Sequence, residues 1–427
     1  MVRRVALRSR SVPLMLFSIA LLVATVWNYQ PGVADEQVVR DTPDRTVRSK
    51  LTDRKPAENL SPMGFTPCVG GMAGQYPCDD VDLMSMLPLS TFSAGSAADI
   101  WGWTDRSSGK EYALITLNNG TAFVDISDPA NPVYVGKLPT HTPCSLWRDV
   151  EVYKDHAFIV ADACSHGMQV FDLHRLRNVQ NPPVTFTEDA HYNQVGNVHT
   201  IGINTKTGYA HLVGSNTCLG GLHLVDVRRP TQPAFAGCFD DDGYTHEAQC
   251  VIYRGPDAEH RNKEICFAAN EDTLTIVDVT NKAAPEQLAR KTYAGSGYTH
   301  QGWLMNGQST FVVDDELDEV FFGHKTKTLF FNVDNLEAPF IESTYTGPTN
   351  AIDHNQYVHR GHIYQATYQA GLRILDLTPT QVAFFDIYPQ GNQAAFNGMW
   401  GNYPFFRSGL VVGSGIEQGL FVLRPNL

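Results

Sequence analysis

Four histidines, His199, His246, His300 and His354, stand 47, 54 and 54 residues apart, each at the same point of a recurring apolar strand pattern. Aligning the strands that carry them gives the series Ala98, Arg148, His199, His246, His300, His354 and Asn397. Neutral imidazoles are ligands for iron, copper or zinc, and imidazoles from consecutive structural units can converge on one ion if the units surround a common axis. The residues that follow directly, Asp99, Asp149, Glu247, Gln301 and Asn355, would orient the rings or supply an acid or base. Glu247 is the carboxylate best suited to move a proton. The competing reading is a solvated polar channel whose lining residue was copied by repeat duplication. Arg148 favours that reading, because a guanidinium repels a nearby cation.

Oxygen-rich runs are the second candidate chemistry. Asp314, Asp315, Glu316 and Asp318 lie between the apolar stretches FVV and VFF, which read as two strands, and Asp240 to Asp242 form a shorter run. Calcium takes six to eight oxygen ligands, so the first run is a calcium candidate, although hairpin tips also carry simple solvated charge. Neither run has the spacing of an EF-hand loop. The other histidines, His141, His156, His166, His174, His191, His211, His223, His260, His324, His359 and His362, share no register and read as surface or turn residues. The chain contains no Gly-x-Ser-x-Gly elbow, no His-Glu-x-x-His and no phosphate loop.

The element that must position these side chains is a repeat. A strand ending in Asp recurs at Asp125, Asp172, Asp226, Asp278 and Asp376, with Asn332 and Arg424 at the equivalent places, at spacings of 44 to 54 residues. Each copy is preceded by a hairpin and followed by a turn and another apolar strand, so each is a four-stranded unit. Seven such units fit an all-β, seven-bladed β-propeller of four-stranded blades. The repeated Asp is read as a turn cap rather than a catalytic group. In a propeller the innermost strand of each blade lines the central channel, which would bring the four histidines to one rim. Trp101, Trp103, Trp147, Trp303 and Trp400 fall near the same strands and would either face a ligand or fill the gaps between blades.

The final copy stops just after its Asp-type strand, whereas residues 81 to 92, VDLMSMLPLSTF, resemble the outer strand VYVGKLPT at 133 to 140. Pairing the N-terminal strand into the last blade would close the ring and remove its exposed edges. The LVIVD-like strands, with the signature PCVGGMAGQYPCDDVDL at 67 to 83, resemble the LVIVD-repeat proteins of the choice-of-anchor B type. That resemblance implies an exported bacterial propeller attached to the cell surface through a terminal device. It implies no particular activity. No C-terminal anchor is apparent, so any attachment would be N-terminal.

Residues 1–34 read as a signal peptide or an uncleaved N-terminal anchor: four Arg precede the apolar run at 14 to 27, and a small-residue pattern ends at Ala34. Residues 35–66 read as a flexible linker, 67–93 as a Cys-bridged lead-in with the closing strand, and 94–427 as the propeller. Without the four leader Arg the formal charge passes from −13 to −17, which argues against nucleic acid as a partner. Eight cysteines in an exported chain favour disulfides, paired between sequence neighbours: Cys68–Cys78, Cys144–Cys164, Cys218–Cys238 and Cys250–Cys266. The expectation is an extracellular, cell-surface or periplasmic monomer. It would bind a protein or carbohydrate through its loops or, alternatively, be a metal-dependent oxidase or hydrolase centred on the four histidines.

Overall fold

In a computed structural model, residues 57, 59–142 and 145–427 are described. The leader and most of the linker lie outside the described residues, as does Cys144. Seven antiparallel sheets follow one another around a ring, and the innermost strand of each packs against that of the next. Those inner strands are Ala97–Thr104, Arg148–Tyr153, Thr200–Asn204, Glu247–Ile252, Thr299–Leu304, Gln356–His359 and Met399–Tyr403, in blades 1 to 7.

Closure uses both ends of the propeller. Strand Val81–Pro88 pairs antiparallel with Gly419–Pro425 and becomes the outer strand of blade 7. Blade 6 is widened by Tyr76–Asp79, which pairs with Gln381–Phe385, and by Met72–Ala73 beyond it. A cluster containing Tyr76, Phe385 and Phe421 fixes this segment over the junction of blades 6 and 7. The Cys68–Cys78 disulfide ties the lead-in to that added strand. The parallel strand Val184–Thr185 extends blade 1, while the outer strand of blade 2 is only Ala190–Tyr192.

Apolar side chains of successive blades interlock at the seams. Phe123 stacks on Phe171 between blades 1 and 2, with centroids 4.7 Å apart, and Phe267 stacks on Phe311 between blades 4 and 5 at 5.1 Å. The repeated Asp caps its turn as expected. Asp125, Asp172, Asp226, Asp278 and Asp376 each accept a hydrogen bond from the backbone N–H two residues on, at 2.9 to 3.0 Å, and Asn332 does the same. Cys218–Cys238 and Cys250–Cys266 are both formed, the latter between directly opposed residues of adjacent strands. Cys164 is exposed, and its proposed partner is the undescribed Cys144.

Two local expectations are overturned. The VFF stretch is not a strand: Val320 to Phe322 belong to the short helix Asp318–Phe322, and the acidic run before it is buried rather than a solvated tip. His166, His211, His223 and His260 are also buried rather than surface residues. His211 bonds the carbonyl of Ala248 at 2.6 Å, His223 bonds Tyr192 Oη at 2.8 Å, and His260 pairs with Glu337 at 2.6 Å.

Candidate functional site

The four aligned histidines form a row of rings along one end of the channel. Successive centroids are 4.4 Å apart from His199 to His246, 4.0 Å from His246 to His300 and 4.3 Å from His300 to His354. All four are buried. The local device is a β-bulge at the start of the inner strand. In blade 5, Thr299 pairs with Asp315 and Gln301 with Asp314, so His300 is the extra residue and its side chain turns toward the axis.

Hydrogen bonds at Nδ1 set the direction of these rings. His246 Nδ1 donates to the carbonyl of His300 at 3.0 Å, and His354 Nδ1 donates to the carbonyl of Trp400 at 2.5 Å. A carbonyl only accepts, so in both rings Nδ1 carries a proton, and in the neutral ring Nε2 carries the lone pair. His300 Nδ1 lies 2.8 Å from Asp314 Oδ1, a carboxylate–imidazole pair of the kind that orients metal-binding histidines. His199 Nδ1 lies 3.5 Å from Asp162 Oδ2. Burial, reinforced by the neighbouring imidazoles, holds His246 and His300 well below the usual histidine range, so both are neutral.

One carboxylate faces the row. Glu316 Oε1 is 3.7 Å from His354 Nε2, Glu316 Oε2 is 4.0 Å from His300 Nε2, and Tyr368 Oη donates to Oε1 at 2.7 Å. Donor atoms of His300, His354 and Glu316 lie within 4.8 Å of one another, a two-histidine, one-carboxylate set. Sequence reasoning placed Glu316 with the calcium candidates. The structure divides that run: Asp314 goes to His300, and Asp315 accepts from the N–H groups of Gly297 and Tyr298. Burial pushes Asp315 up to about 6. Asp318 pairs with Lys327 at 2.8 Å and shares a separate donor group with Glu319 and His324. Asp242 of the shorter run is engaged by Asn270, Thr273, Thr275 and Arg290.

Two members of the aligned series behave differently from the expectation. The bulged residue of blade 7 is Trp400, between Met399 and Gly401, so Trp400 and not Asn397 is equivalent to His300. Asn397 instead donates to Glu417. Arg148 turns toward blade 1 and the outer part of its own blade, donating to Thr140 Oγ1 at 2.6 Å and approaching His166 Nε2 at 3.4 Å.

The row lies at the inner end of a cavity of about 1520 Å³ whose walls carry all five tryptophans singled out from the sequence. Asp99, Asp149, Glu151 and Glu247 line its middle. Burial raises all four, the facing Asp149 adds to the rise at Asp99, Glu151 and Glu247, and Asp99, Glu151 and Glu247 stand well above the carboxylate range. Beyond them is an aromatic belt: Trp101 contacts Tyr403 at 5.0 Å and Tyr357 at 5.8 Å, and Trp303 contacts Tyr357 at 5.0 Å. His359, a further histidine of interest, packs on Phe405 at the belt, while His191 stacks on His141 away from the row at 3.8 Å.

Comparison with known proteins bears on the repeat alone. The LVIVD repeat matches residues 94–140 and 265–290. No curated protein matches the chain. Among solved structures, the extracellular domain of a one-component system from B. thetaiotaomicron is similar at 14% identity and a TM-score of 0.48, covering 80% of this chain and 42% of that one. A functionally unknown protein from Desulfotomaculum acetoxidans is similar at 10% identity and a TM-score of 0.47, covering 70% of this chain and 88% of that one.

Proposed function

We propose that this propeller is an exported, metal-dependent enzyme, an oxidase or hydrolase, that holds iron, copper or zinc at the histidine end of its channel. The observation that carries the reading is the convergence of His300, His354 and Glu316 donors within 4.8 Å, with Nδ1 of His246, His300 and His354 engaged by oxygen. His199 and His246 extend the donor set along the row, and Asp314 orients His300. The metal would supply Lewis acidity or redox chemistry when bound. Glu247, whose carboxyl burial on the channel wall raises well above the usual range, would give a proton to a molecule entering through the belt.

The test is elemental analysis of protein exported by its native host and never passed over a nickel column. About one equivalent of iron, copper or zinc, lost in a His246→Ala, His300→Ala double variant, is the expected result. A metal-free protein whose melting temperature ignores all three ions would overturn it.

A second reading, an interaction module for a protein or carbohydrate at the cell surface or in the periplasm, is favoured by one observation. Phe321 and Phe322 are about half exposed on the short helix of blade 5. Export itself is supported by three formed disulfides, and the choice-of-anchor B relationship by the Cys-flanked signature that leads into the closing strand. Calcium, which takes oxygen ligands, would sit on the carboxylates of Asp318 and Glu319 rather than on the whole acidic run.

A further inference from the structure

The channel mouth lies at the opposite end from the histidines, where the first two strands of each blade are joined. Five of these connections place a basic side chain on the cavity wall: Arg106 in blade 1, Lys154 in blade 2, Lys206 in blade 3, Arg254 in blade 4 and Arg407 in blade 7. All five residues are exposed. Among the described residues none has a carboxylate within 4.0 Å, whereas Lys110, Arg175, Arg177, Arg228, Lys282 and Arg290 elsewhere are all ion-paired. Lys154 Nζ does donate to the carbonyl of Arg228 at 2.9 Å, which steadies the side chain without neutralising it.

Their convergence is the argument: exposed cations without a carboxylate partner occur singly elsewhere, but these five lie together around one opening. Like charges held together at a rim repel one another, and that cost is offset when an anion sits among them. Asp105 is taken by Arg177 at 2.6 and 2.8 Å. Asp155, on the cavity wall beside Lys154, accepts from Trp103 Nε1 at 2.9 Å and keeps its charge, so at these connections it stands as one carboxylate against the five cations.

Below the rim comes the belt of Trp101, Trp303, Tyr357 and Tyr403, with Phe405 packed among them. Aromatic walls bury apolar surface and offer ring contacts to an aromatic body. Cations at the mouth, rings below and donors at the far end form an ordered path into the channel.

We infer that the substrate is an organic anion with an apolar or aromatic body, its carboxylate or phosphate held at the basic rim and its body in the belt. This deepens the proposed function, on which it rests for the far end of the path, but the rim and belt are testable without any metal. A polyanion such as a nucleic acid fits less well, because the cations converge on a cavity rather than spread over a face and the remaining surface is acidic.

The experiment uses the full exported chain with 2-naphthoate, 2-naphthyl phosphate and the neutral 2-naphthol as probes, followed by quenching of tryptophan fluorescence with EDTA present. The two anions bind about tenfold tighter than 2-naphthol at low salt, and the advantage shrinks at ionic strengths near 0.5 M, where the Debye length falls to a few ångströms. Whichever of the two anions binds tighter identifies the head group. An Arg254→Gln, Arg407→Gln double variant brings all three probes to within about twofold. Equal affinity for the neutral and charged probes, no binding of any probe, or an unchanged preference in the variant overturns the inference. So does heparin binding that leaves 2-naphthoate in place. Anion preference that survives in the metal-free His246→Ala, His300→Ala variant keeps the rim even if the metal reading fails. Preference lost there and retained in the arginine variant assigns the anion to the histidines instead.

Discussion

His246 Nδ1 donates to the main-chain carbonyl of His300, 3.0 Å away on the next blade. The orientation of one candidate ligand is therefore set by the backbone of another. The pattern repeats around the ring, since Thr200 Oγ1 donates to the carbonyl of His246 at 2.7 Å and His354 to that of Trp400. Backbone carbonyls cannot be lost by substitution, so the ring direction is a property of blade packing. His300 also engages the backbone of His354 and differs in having a side-chain partner at Nδ1, Asp314.

That difference gives the first prediction. Asp314→Asn should lower metal affinity by about 10- to 100-fold, the usual cost of an orienting partner, while Glu316→Gln should cost at least as much because it removes a candidate ligand. The Tyr368 hydrogen bond to Oε1 can persist in the glutamine variant, which limits the change to the lost charge. Competition against a chelator of known affinity measures both. Affinities unchanged in Glu316→Gln would remove that residue from the metal site.

The histidine row was legible because a blade-long repeat places the same residue at the start of successive inner strands, and spacing alone reports it. Glu316 was not legible as a neighbour of His300 and His354. Its strand runs into a short α-helix that the corresponding connections of the other blades lack, so no period points from residue 316 to residues 300 and 354. The alignment failed at blade 7 for a related reason. The connection before Met399–Tyr403 has no fixed length between blades, and counting strand residues placed Asn397 where the bulge holds Trp400. Ring closure, by contrast, was readable from an incomplete last repeat and a matching strand near residue 81.

Closure should be cooperative. A chain beginning at residue 94 lacks Val81–Pro88 and leaves Gly419–Pro425 as a bare edge of apolar residues. It is expected to aggregate or to melt at least 10 °C lower, since burial of Val81, Leu83 and Met86 is worth several kcal/mol at about 1.5 to 3 kcal/mol per side chain. Adding the peptide of residues 67–93 in trans should recover part of the loss. Melting curves of the truncated chain with and without peptide check this, and an unchanged midpoint after truncation would contradict it.

Calcium offers a separate measurement. If the carboxylates of Asp318 and Glu319 take a calcium ion, 5 mM CaCl2 should raise the melting temperature by about 2 °C or more relative to EDTA, given affinities of about 10⁻⁴ to 10⁻³ M in extracellular modules. Asp318→Asn should abolish the rise. A midpoint indifferent to calcium would leave Lys327, 2.8 Å from Asp318, as the partner that compensates this buried carboxylate.

Part of the acid stability should be set by buried histidines outside the channel row. His223 is buried in blade 3, with Nε2 bonded to Tyr192 Oη and Nδ1 to Thr217 Oγ1, and burial pushes it down to about 4 from 6.5. The unfolded chain therefore takes up a proton near pH 6.5 that the native fold refuses until about pH 4. The stability present above pH 6.5 is lost as pH falls through that window, by about 3 kcal/mol for a shift of this size. His211, also held to about 4 by burial, adds to the same slope. A His223→Gln variant keeps a polar group toward Tyr192 but has nothing to protonate, so its stability at pH 7 should be somewhat lower and its decline toward pH 4.5 shallower than that of the parent. Urea denaturation at pH 7.0, 5.5 and 4.5 measures the two slopes. Parallel slopes in parent and variant would mean that His223 is protonated in the folded protein and that its burial does not set the acid limit.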